Sequence, residues 1–248
     1  MIRVIEGLKK LQPMSKNKVL QQDVYEVGTR EQFAEKSIVL GSFATYNVLY
    51  DPKHMGFILA RYKFVAKMFN GFDYALEVGC GDAFGTPIVA QHVKRVIAID
   101  SDARHIRSNK KRLRNLENIQ FSQGLIQNFK STEKLFDGSY SIDVIEHLDG
   151  QLNDLFIESQ VRKLKGNGVC IVGTPNITAN KYASETSRVQ HINMHSQKTL
   201  NALMSKYFDR VFMFGMNDEV LHIGYAPMCH YIFGMGVGLK RHYRLQNI

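Results

Sequence analysis

Residues 75 to 85 read Ala-Leu-Glu-Val-Gly-Cys-Gly-Asp-Ala-Phe-Gly, an apolar run that carries one carboxylate and breaks into a glycine-rich turn. A short apolar run bounded by glycine reads as a buried strand. Glycine lets the backbone beyond it adopt left-handed conformations and come close to a ligand that a Cβ would hold off. The stretch Val96-Ile97-Ala98-Ile99-Asp100 repeats the design, again a buried strand ending in a carboxylate. Between the two lies Pro87, tolerated only in a helix's first turn. A strand, a turn, a helix and a second strand are the opening of a parallel α/β sheet.

The rest of the chain continues the alternation. Helical spacing of Phe57, Ile58, Tyr62, Val65, Met68 and Phe69 predicts a helix leading into the first strand. Further strands are expected near 119–122, 136–145 and 169–173, with late candidates at 211–214 and 228–233. A helix over about 152–164 should stop at Lys165-Gly166-Asn167-Gly168, and another spans 199–207. The expected fold is α/β: a doubly wound, mostly parallel, seven-stranded sheet with ligands at the carboxyl ends of its strands, preceded by an N-terminal helical lid. The boundaries read as an arm and lid over 1–69 and the sheet domain over 70–248, with loops at 176–198 and 215–228. Residues 1 to about 30 read as a mobile arm or short lid helix.

Cys80, Cys170 and Cys229 are far apart and form no metal-binding pair, a sparse, odd count that fits a reducing cytoplasm. The first residues lack a signal peptide's apolar run, and Ile232–Leu239 is too short and glycine-broken to span a bilayer. The formal net charge is +9. Part of it sits on one expected helix, in Arg104, Arg107, Lys110, Lys111, Arg112 and Arg114. That run reads either as a solvated helix face or as an attractor of anions, phosphorylated metabolite or nucleic acid. No aromatic residues are interleaved with it, which disfavours nucleic acid.

The turn departs from the dinucleotide fingerprint G-x-G-x-x-G: Gly79 and Gly81 fit, but Phe84 takes the third position and the glycine arrives late, at Gly85. Glu77 would repel a pyrophosphate and suits a cationic ligand. This combination resembles motif I of the class I S-adenosylmethionine-dependent methyltransferases, over roughly residues 70 to 215. The resemblance implies cofactor contacts from Glu77, Gly79, Cys80, Gly81, Gly85, Asp100, Ser101, Leu125 and Asp143. It places Glu77 near the methionine ammonium and Asp100 on the ribose hydroxyls. Ala83 stands where the family usually has glycine, and a small shift of the turn is expected there. The stretch Gln123-Gly124-Leu125-Ile126 carries no carboxylate, so adenine recognition is expected to fall to backbone groups.

Asp143, Glu146 and His147 are spaced to share one face of a helical turn in an otherwise apolar segment. The segment resembles the D/E-x-x-E-H stretch of ubiquinone-biosynthesis O-methyltransferases and small-RNA 2′-O-methyltransferases. That likeness, with Thr174-Pro175-Asn176 ahead of His191, implies a divalent ion (Mn, Fe, Co, Zn or Mg) held by Asp143, Glu146, His147 and His191. The same four residues are the expected catalytic set, with His147 or His191 as general base. The alternative is that the Glu-His pair packs and hydrogen-bonds around the site without metal.

Tyr182 and Arg188 in the loop after the fifth strand, and Asn217, Glu219 and His222 in the later loop, are candidate acceptor contacts. The later loop reads equally as a solvated hairpin turn. Tyr46, Asn47 and Tyr50 are candidates to close over the cofactor. The overall pattern also resembles bacterial methyltransferases of surface-polysaccharide biosynthesis, through Leu59-Ala60-Arg61-Tyr62, the segment from Asp143 to His147, Tyr182 and Asn217-Asp218-Glu219. The expected activity is O-methylation of a small polar, anionic acceptor such as a sugar or phosphorylated precursor. The alternatives are an RNA 2′-O-methyltransferase and a non-catalytic cofactor-binding partner.

Overall fold

The computed structural model describes residues 37–130 and 135–246. The N-terminal arm and its lysines lie outside them. The described residues from Leu40 onward, which hold the sheet, belong to one compact unit.

The helices arise where the sequence gives them an apolar stripe and a start signal. Helix α1 is Ser42–Tyr50 and helix α2 is Pro52–Met68, with Pro52 in the first turn of α2 after Asp51. Tyr62, Val65, Ala66 and Phe69 recur at helical spacing and are buried against the sheet. Strand β1 (Tyr74–Val78) follows, then α3 (Thr86–Ala90), β2 (Arg95–Asp100) and α4 (Ala103–Arg112). Asp102 caps α4 by accepting from the Arg104 N–H at 2.7 Å, and Ile106 and Asn109 turn inward. The chain continues through β3 (Ile119–Gln123), β4 (Phe136–Ile142), α5 (Asn153–Val161) and β5 (Leu164–Pro175). It ends with α6 (Glu185–Gln190), α7 (Gln197–Met204), β6 (Phe208–Asn217), β7 (Val220–His222), β8 (Tyr231–Leu239) and α8 (Arg241–Gln246).

Among the described residues the sheet has eight strands rather than seven, in the order β3-β2-β1-β4-β5-β8-β6-β7. Strands β1 to β5 are parallel; β8 runs antiparallel between β5 and β6, and β7 closes an antiparallel hairpin with β6. The extra strand is β7, three residues paired as Gly215 with His222 and Asn217 with Val220, too short to announce itself as a hydrophobic alternation. The expected helix stop at 165–168 is instead the start of β5. Its pairing slips from Phe136 with Leu164 to Gly138 with Val169, so the glycine-rich stretch is absorbed as a bulge.

Apolar side chains cover both faces of the sheet. Leu76, Ile99, Phe136 and Ile157 pack on one side, and Val65, Phe69, Tyr140 and Phe233 on the other. Strand order reverses between β1 and β4, and their carboxyl ends open a crevice where a parallel sheet takes its ligands.

Candidate active site

Two adjoining cavities occupy that crevice. The larger, about 550 Å³, runs past Gly79, Gly81, Asp100, Ser101 and Leu125. The second, about 370 Å³, lies under α1 and is walled by Arg61, Gly85, Glu146 and His191 among others. Phe43, Gly79, Gly81, Asp143 and His147 line both, so these residues mark the junction.

The turn is built from left-handed backbone. Gly79 has φ of 78° and Gly81 of 50°, and a Cβ on Gly79 would overlap Val144. Ala83 adopts φ of 54°, a left-handed conformation that glycine takes without strain. The cost of that geometry for an L residue is roughly 1–2 kcal/mol. Asp100 ties the turn to β2: one carboxylate oxygen accepts the Gly81 N–H and the other the Asp102 N–H, both at 2.8 Å. Asp100 also stands on the wall of the larger cavity.

Glu77 does not open onto either cavity. It is buried beneath the turn, where Tyr62 donates to it at 2.9 Å and Thr86 at 2.7 Å. Burial raises its pKa to about 7, only partly offset by those hydrogen bonds. The carboxylate at the junction is Asp143 instead, held by Arg61 at 2.7 Å. Arg61 was missed as a site residue, although a lone arginine among the apolar positions of α2 is itself a signal. It stacks over the Tyr231 ring at 3.9 Å, and its Nε has no partner. Cys80 is buried on the second cavity's wall, and burial pushes its thiol pKa far above the ordinary value, which disfavours the thiolate.

Of the four residues expected to converge on an ion, three do. Glu146, His147 and His191 bring ligand atoms within 4.8 Å of one another. Asp143 is not in this group. Its φ of 57° and its pairing with Arg61 turn it toward α2, because the chain after β4 forms a short turn at Ile145–His147 rather than a helix starting at 143. Glu146 is fully buried; Thr174 donates to one oxygen at 3.0 Å and the other oxygen has no partner. Burial first, then the nearby Asp143 charge, raises its pKa to about 8. His147 Nδ1 lies 3.1 Å from the Gln190 carbonyl. A carbonyl only accepts, so Nδ1 carries a hydrogen and the tautomer with Nε2 as acceptor is the one this contact favours in the neutral ring. The His191 ring meets that of His147 edge-on, with centroids 5.1 Å apart. Burial, then the His147 charge, lowers the pKa of His191, and its Nδ1 is unpartnered. Asn193 holds the two segments together: it donates its side-chain N–H to the Ile145 carbonyl and its backbone N–H to that of Glu146, both at 3.0 Å.

Tyr46 and Asn47 line the second cavity from α1, whereas Tyr50 does not. Tyr182, Arg188, Asn217, Glu219 and His222 line neither cavity. Tyr182 and Arg188 are exposed on the segment beyond β5. Asn217 and His222 bond each other at 3.0 Å across the β6–β7 hairpin, and Asp218 takes the left-handed turn position. Glu219 lies against Gly56 on α2. Residues 217–222 thus form a β-hairpin turn, the alternative the sequence had left open beside an acceptor role.

Comparison with known proteins agrees with this geometry. Residues 76–172 match a family described as a methyltransferase domain. A Mycobacterium tuberculosis protein named "Probable S-adenosylmethionine-dependent methyltransferase" is 30% identical over 130 residues, 51% of this chain and 43% of that protein. A ubiquinone biosynthesis O-methyltransferase of Rickettsia akari is 36% identical over 111 residues, 44% of this chain and 42% of that protein. The chain thus spans less than half the length of these curated relatives. The N-methyltransferase NodS of Bradyrhizobium japonicum, crystallised with S-adenosyl-L-homocysteine, shares the fold at a TM-score of 0.55 and 19% identity, covering 77% of this chain and 90% of that one. Among the described residues no helix is long and apolar enough to cross a membrane.

Proposed function

We propose that this methyltransferase domain transfers a methyl group from S-adenosylmethionine to an oxygen of a small polar, anionic acceptor, with the larger cavity for the cofactor and the second for the acceptor. The observation that carries the reading is the junction. Asp143, His147 and the glycine turn border both cavities, so groups held in each would meet there.

The residues fit the cofactor's chemistry. Its ribose hydroxyls suit Asp100. Its methionine end is a zwitterion, and Asp143, on the wall shared by the two cavities, offers a carboxylate for the ammonium. Bound S-adenosylmethionine supplies an electrophilic methyl group on a sulfonium. Glu77 then supports the turn from below through Tyr62 and Thr86.

The acceptor hydroxyl must lose a proton as it attacks. His191, kept neutral by burial, and the Nε2 of His147 are the bases within the second cavity. Arg61 Nε, Glu146 Oε1 and His191 Nδ1 have no hydrogen-bond partner among the described residues and belong to side chains that line that cavity, so an oxygen-rich acceptor suits it. A sugar or a phosphorylated precursor of a surface polysaccharide has that chemistry.

Glu146, His147 and His191 also fit a divalent ion: one carboxylate and two imidazoles suit Zn, Fe, Co or Mn better than Mg, and the orphaned Glu146 oxygen has reason to want one. Such an ion would lower the pKa of a hydroxyl bound beside it. The same cluster supports the second reading, methylation of an RNA 2′-hydroxyl.

Calorimetry with S-adenosylhomocysteine and product mass with a panel of nucleotide-activated sugars and short RNAs test these readings. Absence of cofactor binding sinks all of them. Methylation of RNA but not of sugars selects the second. Crystals soaked in Mn with no anomalous signal at Glu146, His147 and His191 remove the ion.

A further inference from the structure

The rim of the second cavity is more apolar than its interior. Leu40–Tyr50 contains no charged residue in eleven positions. In α1, Phe43, Tyr46, Val48, Leu49 and Tyr50 are between 45% and 72% exposed. Phe43 and Tyr46 reach the cavity, while Val48 and Leu49 are exposed and line neither cavity. Across the mouth, Ser187 and His191 form the wall, and Tyr182, Val189 and Ile192 beside them are exposed. Cations interrupt this collar: Arg188 is exposed on α6, and Lys181 lies 4.8 Å over the Tyr182 ring.

A second cationic face adjoins it. Phe43 meets His105 of α4 with ring centroids 5.0 Å apart. From Ala103 to Leu116 the chain has no acidic residue, and Arg107, Lys110, Lys111 and Arg114 recur at helical spacing on the exposed side.

Contiguous exposed apolar surface marks an interaction site. Five half-exposed side chains on a nine-residue helix fall well short of the roughly 800 Å² per partner that a stable dimer buries. Tyrosines with an apolar body and polar tip, an uncharged apolar helix and flanking cations match the headgroup region of an anionic bilayer. We propose that the mouth of the second cavity docks on an anionic membrane surface, with α1 lying in the interface and α4 adding electrostatic attraction. The orientation rests on the reading of that cavity as the acceptor site and implies an acceptor presented from the bilayer; the docking itself does not need methyl transfer.

The full chain is sedimented with vesicles of phosphatidylcholine alone and of phosphatidylcholine with phosphatidylglycerol. Binding to the anionic vesicles that weakens with added salt is expected. Val48→Glu with Leu49→Glu should weaken it about tenfold or more, with S-adenosylhomocysteine affinity unchanged as the check on folding. The chain has no tryptophan, so Leu49→Trp gives a clean probe whose emission should shift to the blue only when anionic vesicles are added. No binding to either vesicle, or full binding by the double variant, overturns the proposal. So does an emission already blue-shifted without vesicles, which would mean that a second copy or the chain's own first residues cover α1. RNA binding with no response to vesicles overturns it too. Vesicle binding without methyl transfer to any acceptor would instead remove the functional reading and leave the docking standing.

Discussion

The two cavities are built differently. The polar side of the larger follows the order of the sheet, with the turn after β1, the carboxylate ending β2 and the loop after β3, while Phe43 and the segment from Asp143 to Phe156 complete its wall. Its main polar anchor is satisfied, Asp100 accepting two backbone N–H groups. The second cavity gathers Arg61 from α2, Glu146 after β4 and His191 after α6, and three of its polar atoms lack partners. A backbone-built site is preorganised for one unchanging ligand. A side-chain-built site with unmet hydrogen bonds is made to be completed by what enters it.

The sharpest test of this contrast is the double change His147→Ala with His191→Ala. It should lower the methyl-transfer rate by about 10²- to 10⁴-fold in single-turnover assays, while calorimetry finds cofactor affinity unchanged. A loss of affinity instead would mean that the two cavities are not separate in function.

Titration of the folded state gives the next effect. Glu77 has a folded pKa near 7, raised from 4.5. The folded chain therefore holds a proton that the unfolded chain releases in that interval. The stabilisation is complete below the unfolded value and is lost as pH rises through 7. Stability measured by urea unfolding should fall by roughly 3 kcal/mol from this group between about pH 5 and pH 8. Glu77→Gln should remove that portion of the slope; an unchanged slope would mean that Glu77 is ionised in the fold.

Arg61→Ala leaves Asp143 without its partner. A loss of about 3 kcal/mol in unfolding free energy is expected, the low end for a buried pair because Asp143 keeps 33% of its side chain exposed. Arg61→Lys should restore part of the stability but not the bonding of a planar guanidinium stacked on Tyr231. Asp100→Ala should weaken S-adenosylhomocysteine binding by about 2 kcal/mol, through charge-assisted bonds to the turn and to hydroxyls. Smallest is Asn217→Ala, expected to cost about 1 kcal/mol of stability and to leave kcat/KM unaltered. A fall in kcat/KM there would bring the β6–β7 hairpin back to the acceptor.

What could be read from the chain follows the same division. The turn, Asp100 and the parallel strands were legible because each is a local pattern whose residues act where they stand. The grouping of His147 with His191 was legible only through resemblance. The position of Glu77 under the turn was not, since Tyr62 and Thr86 approach it from α2 and α3 and only the folded packing brings them there. Asp143 was misassigned to the ion cluster because the spacing presumed a helix where the backbone turns left-handed at 143. The polar residues of the hairpin looked functional because a short turn concentrates hydrogen-bonding side chains whether or not a ligand is near.

The position of β8 has a consequence for the order in which the molecule is made. This strand, the last of the sheet among the described residues, lies between β5 and β6. During synthesis β6 and β7 leave the ribosome with no neighbour to join them to the parallel strands. Their exposed edges must wait for residues 231–239, a long-range closure of the kind that slows folding. Chains truncated before residue 231 should therefore be captured by chaperones more readily than the 248-residue chain.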